Sequence, residues 1–149
     1  MQSHLMQLSV GQLLNLYEQG QREFHNLDFS DCDLSGLCLP EIDLSFTNLA
    51  NANLEGIDLQ WARLRNVNLV KANLTHANLR RSSLRQADLT GATLLSADLR
   101  AVDFSGANLA EANLADADIW GAIAPDGMNR LKLNTSNEQR NRPVATLGF

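Results

Sequence analysis

The sequence is poor in the residues that usually carry chemistry: aromatics make up 5% of the chain, and there are two cysteines and three histidines. Cys32 and Cys38 are too few and wrongly spaced for a zinc cage or a disulfide framework. His4, His25 and His76 are scattered, none at a helical ligand spacing from another His or Cys, so no metal site is expected. No apolar run approaches the roughly 20 residues needed to cross a bilayer, and no membrane partner is expected. No Lys or Arg precedes Arg22, which argues against a secretory signal and makes a reduced, cytoplasmic setting the expectation. The net charge of −5 gives no general electrostatic reason to bind nucleic acid.

What the chain does have is a five-residue beat. From Phe24 through Ile119 an apolar residue recurs at every fifth position, filling twenty slots with sixteen Leu, three Phe and one Ile. Two residues before each lies a second slot, Ala in ten of twenty cases; between the two sits Asp or Asn in fifteen of twenty. Five is the period of neither a helix nor a strand. Side-chain alternation explains the rest: residues two apart in an extended segment face the same way, so the small residue and the Leu point inward and the Asp or Asn faces water. The remaining two residues turn a corner. Glycines at 36, 56, 91, 106 and 121 all fall on the second corner residue, where they suit positive φ in a turn rather than phosphate cradling. Extended triplets joined by tight corners wind into a coil; four sides make a coil of twenty residues. About five coils at roughly 4.8 Å apiece give an all-β rod roughly 24 Å tall. Periodicity alone leaves three- and four-sided solenoids both open.

The runs A-N-L-E-G (52–56), A-D-L-T-G (87–91) and G-A-N-L-A (106–110) resemble the pentapeptide-repeat family, with its consensus A-[D/N]-L-x-x. The resemblance covers residues 22–121 and implies a right-handed quadrilateral β-helix. The junction EQGQREFHNLDF, residues 18–29, resembles that of cyanobacterial members. Six- and nine-residue β-helix repeats are excluded by the period.

The pattern loosens at its N-terminal end, where Leu27, Cys32, Leu37, Ile42 and Ile57 fill slots that favour Ala. Cys32 is expected to be buried, and Cys38 to point outward. Arg22 cannot be buried uncompensated, so coiling is expected to start near Phe24. Ser82 places a hydroxyl inward, which must find a backbone partner. Residues 1–21 read as a cap: Ser9 and Gln12 fit a capping box opening a helix over residues 10–19, with Gly20 as its stop. Residues 22–123 form the repeat. Residues 124–149 begin with a turn at Pro125 and continue as a polar, aperiodic segment read as a mobile tail, with Leu131 and Leu133 tucked over the last coil. An uncovered last coil would offer a homodimer face, as resemblance to gyrase-inhibiting members implies.

No catalytic constellation emerges. A carboxylate that recurs by architecture is poor evidence for an acid–base pair, and Asp98 and Asp118, one coil apart, have no cleft between them to hold a sugar. No catalytic residue or cofactor is assigned. The positive charge is another matter. Between Asp58 and Asp88 there is no acidic residue, yet Arg63, Arg65, Lys71, Arg80, Arg81 and Arg85 lie there. With twenty residues per coil, one corner column reads Pro40, Gln60, Arg80, Arg100, Trp120 and its neighbour reads Glu41, Trp61, Arg81, Ala101, Gly121. Trp61, Arg63, Arg65, Arg80, Arg81, Arg85, Arg100 and Trp120 therefore form the candidate partner-binding patch. Arg80 and Arg100 at one strand spacing should repel unless an anion lies between them. The expected function is a non-enzymatic scaffold that binds a protein, of unknown identity, through its flat faces. The alternatives are gyrase interaction by DNA mimicry, as resemblance to family members suggests, and a carbohydrate-active enzyme by analogy with larger β-helices.

Overall fold

The computed structural model describes residues 5–127. The expected tail, with Leu131 and Leu133, lies outside the described residues, as does His4.

The coil length is written in the backbone pairing. Parallel bridges join residues at a constant offset of twenty, from Glu23↔Asp43 through Asp103↔Ile123. Within one coil the bridged positions are Asp43, Asn48, Asn53 and Asp58, so each coil has four sides. We number the faces by the outward residue at their centre. The first carries Glu23, Asp43, Arg63, Ser83 and Asp103; the second Asp28, Asn48, Asn68, Asp88 and Asn108. The third carries Asp33, Asn53, Asn73, Thr93 and Asn113; the fourth Cys38, Asp58, Asn78, Asp98 and Asp118.

Five residues suffice because, in the interior coils, a repeat centred on Asp or Asn gives each of its backbone N–H groups an acceptor, as buried backbone requires. Around Asn53, Ala52 N donates to Leu49 O across the preceding corner, and Asn53 N donates to Cys32 O one coil below. Leu54 N donates to Asn73 O above, and Gly56 N to Thr75 O above. The fifth donor, Glu55 N, is taken by the side chain of Asn53 itself, 3.2 Å from Oδ1. That last bond recurs at all fifteen Asp and Asn centre positions, from Ser30 N on Asp28 to Trp120 N on Asp118. Asp and Asn are the side chains that reach their own backbone two residues on. They do face water, as the alternation predicts, but they also hold the corner.

The second corner residue has positive φ at every position from Asn26 to Gly121, fifteen of them non-glycine. Only short polar residues adopt that region with ease; Phe46, Trp61 and Arg81 adopt it at φ of 60–61° because the ladder on both sides fixes it.

Inside, Leu74 and Leu94 are both fully buried in one continuous core with Ala72 and Ala92. The inward Thr47 is satisfied, its Oγ1 donating to Phe24 O at 3.2 Å. Ser82 is not: its Oγ is buried with no hydrogen-bond partner among the described residues, against the expectation of a backbone acceptor. Its slot stands one coil from Ala62 and one from Val102, whose backbone groups are already used by the ladder. Cys32 also departs from expectation, being half-buried rather than buried; Cys38 is exposed.

The N-terminal end is covered by a strand and a helix. β1 (Met6–Gln7) pairs in parallel with β2 (Leu27–Asp28), adding a rung the sequence pattern does not announce. α1 (Val10–Glu18) begins at Ser9 with the expected capping box, Ser9 N to Gln12 Oε1 at 2.8 Å and Gln12 N to Ser9 Oγ at 3.1 Å. Gln19 serves as the C-cap, so the helix stops one residue short of the expected 10–19. Leu13 is fully buried, and the Tyr17 hydroxyl donates to Pro40 O at 2.9 Å, fastening the helix to the first coil. Arg22 is exposed, donates to the Tyr17 and Gln21 carbonyls and lies 3.9 Å from the Tyr17 ring centroid.

Candidate functional site

The first face and its two corners hold most of the residues that the spacing singled out. Arg63 is the face centre of its coil, with a side chain 72% exposed and only a loose contact to Asp43, 3.9 Å. Trp61 and Arg81 share the corner with the fourth face; the Arg81 guanidinium sits 4.6 Å from the Trp61 ring centroid. An exposed cation–π contact of this kind contributes about 0.5–1 kcal/mol and fixes the arginine over the ring. Arg65 occupies the corner with the second face, reaching Gln86 Oε1 at 3.4 Å.

Two expected members are differently employed. Arg100 engages the fourth face, with Nη2 2.5 Å from Asp98 Oδ2 and Nε 3.6 Å from Asp118 Oδ2. The anticipated Arg80–Arg100 conflict is thus relieved by carboxylates of the chain itself. Hydrogen bonding from Arg100 holds the Asp98 carboxyl below its usual range. Arg85 is likewise paired, Nη1 to Asp103 Oδ2 at 3.1 Å. At Asp103 burial pushes the pKa up, but bonds from Ser105 and Arg85 outweigh it and the carboxyl stays low. These carboxylates lie two or eighteen residues from their arginines along the chain rather than twenty, and so outside the columns.

That leaves Arg65, Arg80 and Arg81. Among the described residues none of the three has a carboxylate within ion-pair distance. Trp61, 53% exposed, lies one coil beneath Arg81, and its backbone N–H donates to the carbonyl of the neighbouring Arg80 at 3.0 Å. The other corner repeats the arrangement with a residue the patch omitted. Phe46, 50% exposed, donates its N–H to Arg65 O at 2.8 Å. An aromatic at a corner position in the column beside Arg65 was the available signal. Trp120 is exposed at 62% but stands on the coil beyond Arg100, apart from this group.

Among the described residues no three His, Cys, Asp or Glu side chains cluster to hold a metal ion, and no helix is long and apolar enough to cross a membrane. The depression lined by Glu41, Trp61 and Arg63 belongs to the same face.

The profile described as pentapeptide repeats (8 copies) matches residues 28–66, 57–94, 68–106 and 96–123, which together span most of the chain. The chain belongs to the pentapeptide-repeat family. Its fold is accordingly the right-handed quadrilateral β-helix that these proteins form. A pentapeptide-repeat protein from Nostoc PCC 7120, alr5209, is 32% identical, with a TM-score of 0.64 over 68% of this chain and 83% of that one. A pentapeptide-repeat protein of the Arabidopsis thaliana thylakoid lumen, AT2G44920, is 25% identical, with a TM-score of 0.62 over 70% of each chain. No curated protein matches the sequence.

Proposed function

We propose that this pentapeptide-repeat chain is a non-enzymatic interaction scaffold, a helix-capped rod of about five coils that binds a partner protein in the cytoplasm through its first face. The observation that carries the reading is the contrast in charge pairing. Arg85 and Arg100 make ion pairs within the chain, whereas among the described residues Arg65, Arg80 and Arg81 have no carboxylate within ion-pair distance, Arg80 being only near enough to Asp98 to lower its pKa, and they stand beside two exposed aromatics. Arg and Trp are the residues enriched where binding energy concentrates.

DNA mimicry is a weaker reading. It needs a long, dominantly negative face, but the second and third faces are centred largely on amides that bond along the rod. Asn68 Nδ2 donates to Asn48 Oδ1 at 3.0 Å, and Asn53 Nδ2 to Asp33 Oδ1 at 3.1 Å. The fourth face has its acids partly neutralised by Arg100. A carbohydrate-active role would need paired carboxylates in a groove, and Asp98 and Asp118 share an arginine instead.

Affinity capture from extract of the source organism tests the proposal, comparing the native protein with the R65E/R80E/R81E variant. We expect the variant to lose the specifically captured protein while its circular dichroism and thermal melt are unchanged. Equal capture by both would remove the first face from the account.

A further inference from the structure

We propose that the first face docks an acidic protein segment, its carboxylates on Arg65, Arg80 and Arg81 and its apolar side chains against Trp61 and Phe46. This rests on the scaffold reading and specifies the chemistry of the partner.

Three features point to that occupant. The guanidiniums of Arg65, Arg80 and Arg81, which make no ion pair among the described residues, sit on adjacent coils at the two edges of one face, a compact group of positive charge. Its limits are set by carboxylates: Glu41 and Asp43 lie on the coil below Trp61 and Arg63, and Asp103 on the coil above Ser83. A duplex places a phosphate charge about every 1.7 Å along its axis, so one laid along the rod would run over these acids and meet repulsion at both ends. A short cluster of carboxylates would not. Second, the two corners have the same composition, an exposed aromatic with a cation one coil above in the neighbouring column: Trp61 with Arg80 and Phe46 with Arg65. A segment lying across the face would meet a cation and an apolar surface at each edge. Third, Arg81 is already ordered on the Trp61 ring, so less side-chain entropy is lost when its remaining N–H groups engage a carboxylate. Arginine suits this role because its planar fork matches a carboxylate with two parallel bonds.

The test is fluorescence anisotropy on the full chain with three labelled probes: a short glutamate-rich peptide around a central tryptophan, its glutamine counterpart, and a short duplex DNA. We expect the glutamate peptide to bind, the glutamine peptide and the DNA to bind at least about tenfold more weakly, and high salt to weaken the complex. R65Q/R80Q/R81Q should reduce affinity roughly tenfold, since exposed ion pairs contribute modestly each. R65E/R80E/R81E should abolish it. Equal binding of the two peptides, preference for the duplex, or no glutamate-peptide binding would overturn the proposal. Competition separates this failure from that of the scaffold reading. If the captured protein depends on the three arginines yet is not displaced by the glutamate peptide, the face binds a partner of other chemistry. Capture that ignores the arginine substitutions defeats the scaffold reading itself.

Discussion

The first and second faces share one backbone and one core but spend their outward positions differently. On the second face Asp28, Asn48, Asn68, Asp88 and Asn108 all grip the following corner, and Asn48 and Asn68 also bond along the rod, to Asp28 at 3.0 Å and to Asn48 at 3.0 Å. On the first face only Asp43 and Asp103 make such a corner bond; Glu23, Arg63 and Ser83 do not, and the Arg63 side chain is exposed. The ladder tolerates this because four of the five N–H groups in the Arg63 and Ser83 repeats are satisfied by backbone alone. A solenoid can therefore give up its side-chain reinforcement on one face and present other groups there without losing the coil.

Core substitutions should affect the two faces alike. Leu64→Ala and Leu69→Ala, behind the first and second faces, should each cost about 2–5 kcal/mol by urea denaturation, as large-to-small changes at fully buried sites do. A much smaller cost at Leu64 would mean that the first face is loosely packed as well as differently decorated. The outward centres should separate the faces: Asn68→Ala loses a corner bond and a rod bond, about 1–2 kcal/mol, while Ser83→Ala should leave the melting curve unchanged. Similar costs would show that the side-chain bonds are incidental. Behind the first face, Ser82→Ala removes a buried hydroxyl without a partner and should stabilise by about 1 kcal/mol.

Acid should touch both faces. Bonds from the Ser30 N–H and hydroxyl hold Asp28 low, and those from Ser105 and Arg85 hold Asp103 low. A depressed carboxyl contributes stability that is fully present above its unfolded pKa and is lost as pH falls through the lower native value. Thermal melts should therefore be flat above about pH 5 and decline only below the ordinary aspartate value of 3.8. A decline already complete above about pH 5 would contradict this role for the two carboxylates.

Much of this was legible in the sequence, because a five-residue beat over a hundred residues leaves the inward slots no freedom. The capping box of α1 and the outward Cys38 followed from equally local rules. What escaped notice depended on neighbours outside the coil period. Asp98 and Arg100 are two residues apart, Arg85 and Asp103 eighteen, so tracing positions twenty apart gave Arg100 a conflict it does not have. β1 escaped because two residues carry no periodicity. The corner role of Asp and Asn was hidden by its own regularity: a residue that always faces water looks like simple solvation.

The most direct test of a partner on the first face is site-specific photocrosslinking from two matched positions, Ser83 on the first face and Thr93 on the third. Both are face centres without a corner bond, so a photoreactive amino acid at either should leave the ladder intact. The account predicts a discrete adduct in extract of the source organism from position 83, abolished by R65E/R80E/R81E, and none from position 93. Adducts of equal yield from both positions, or from position 93 alone, would contradict it.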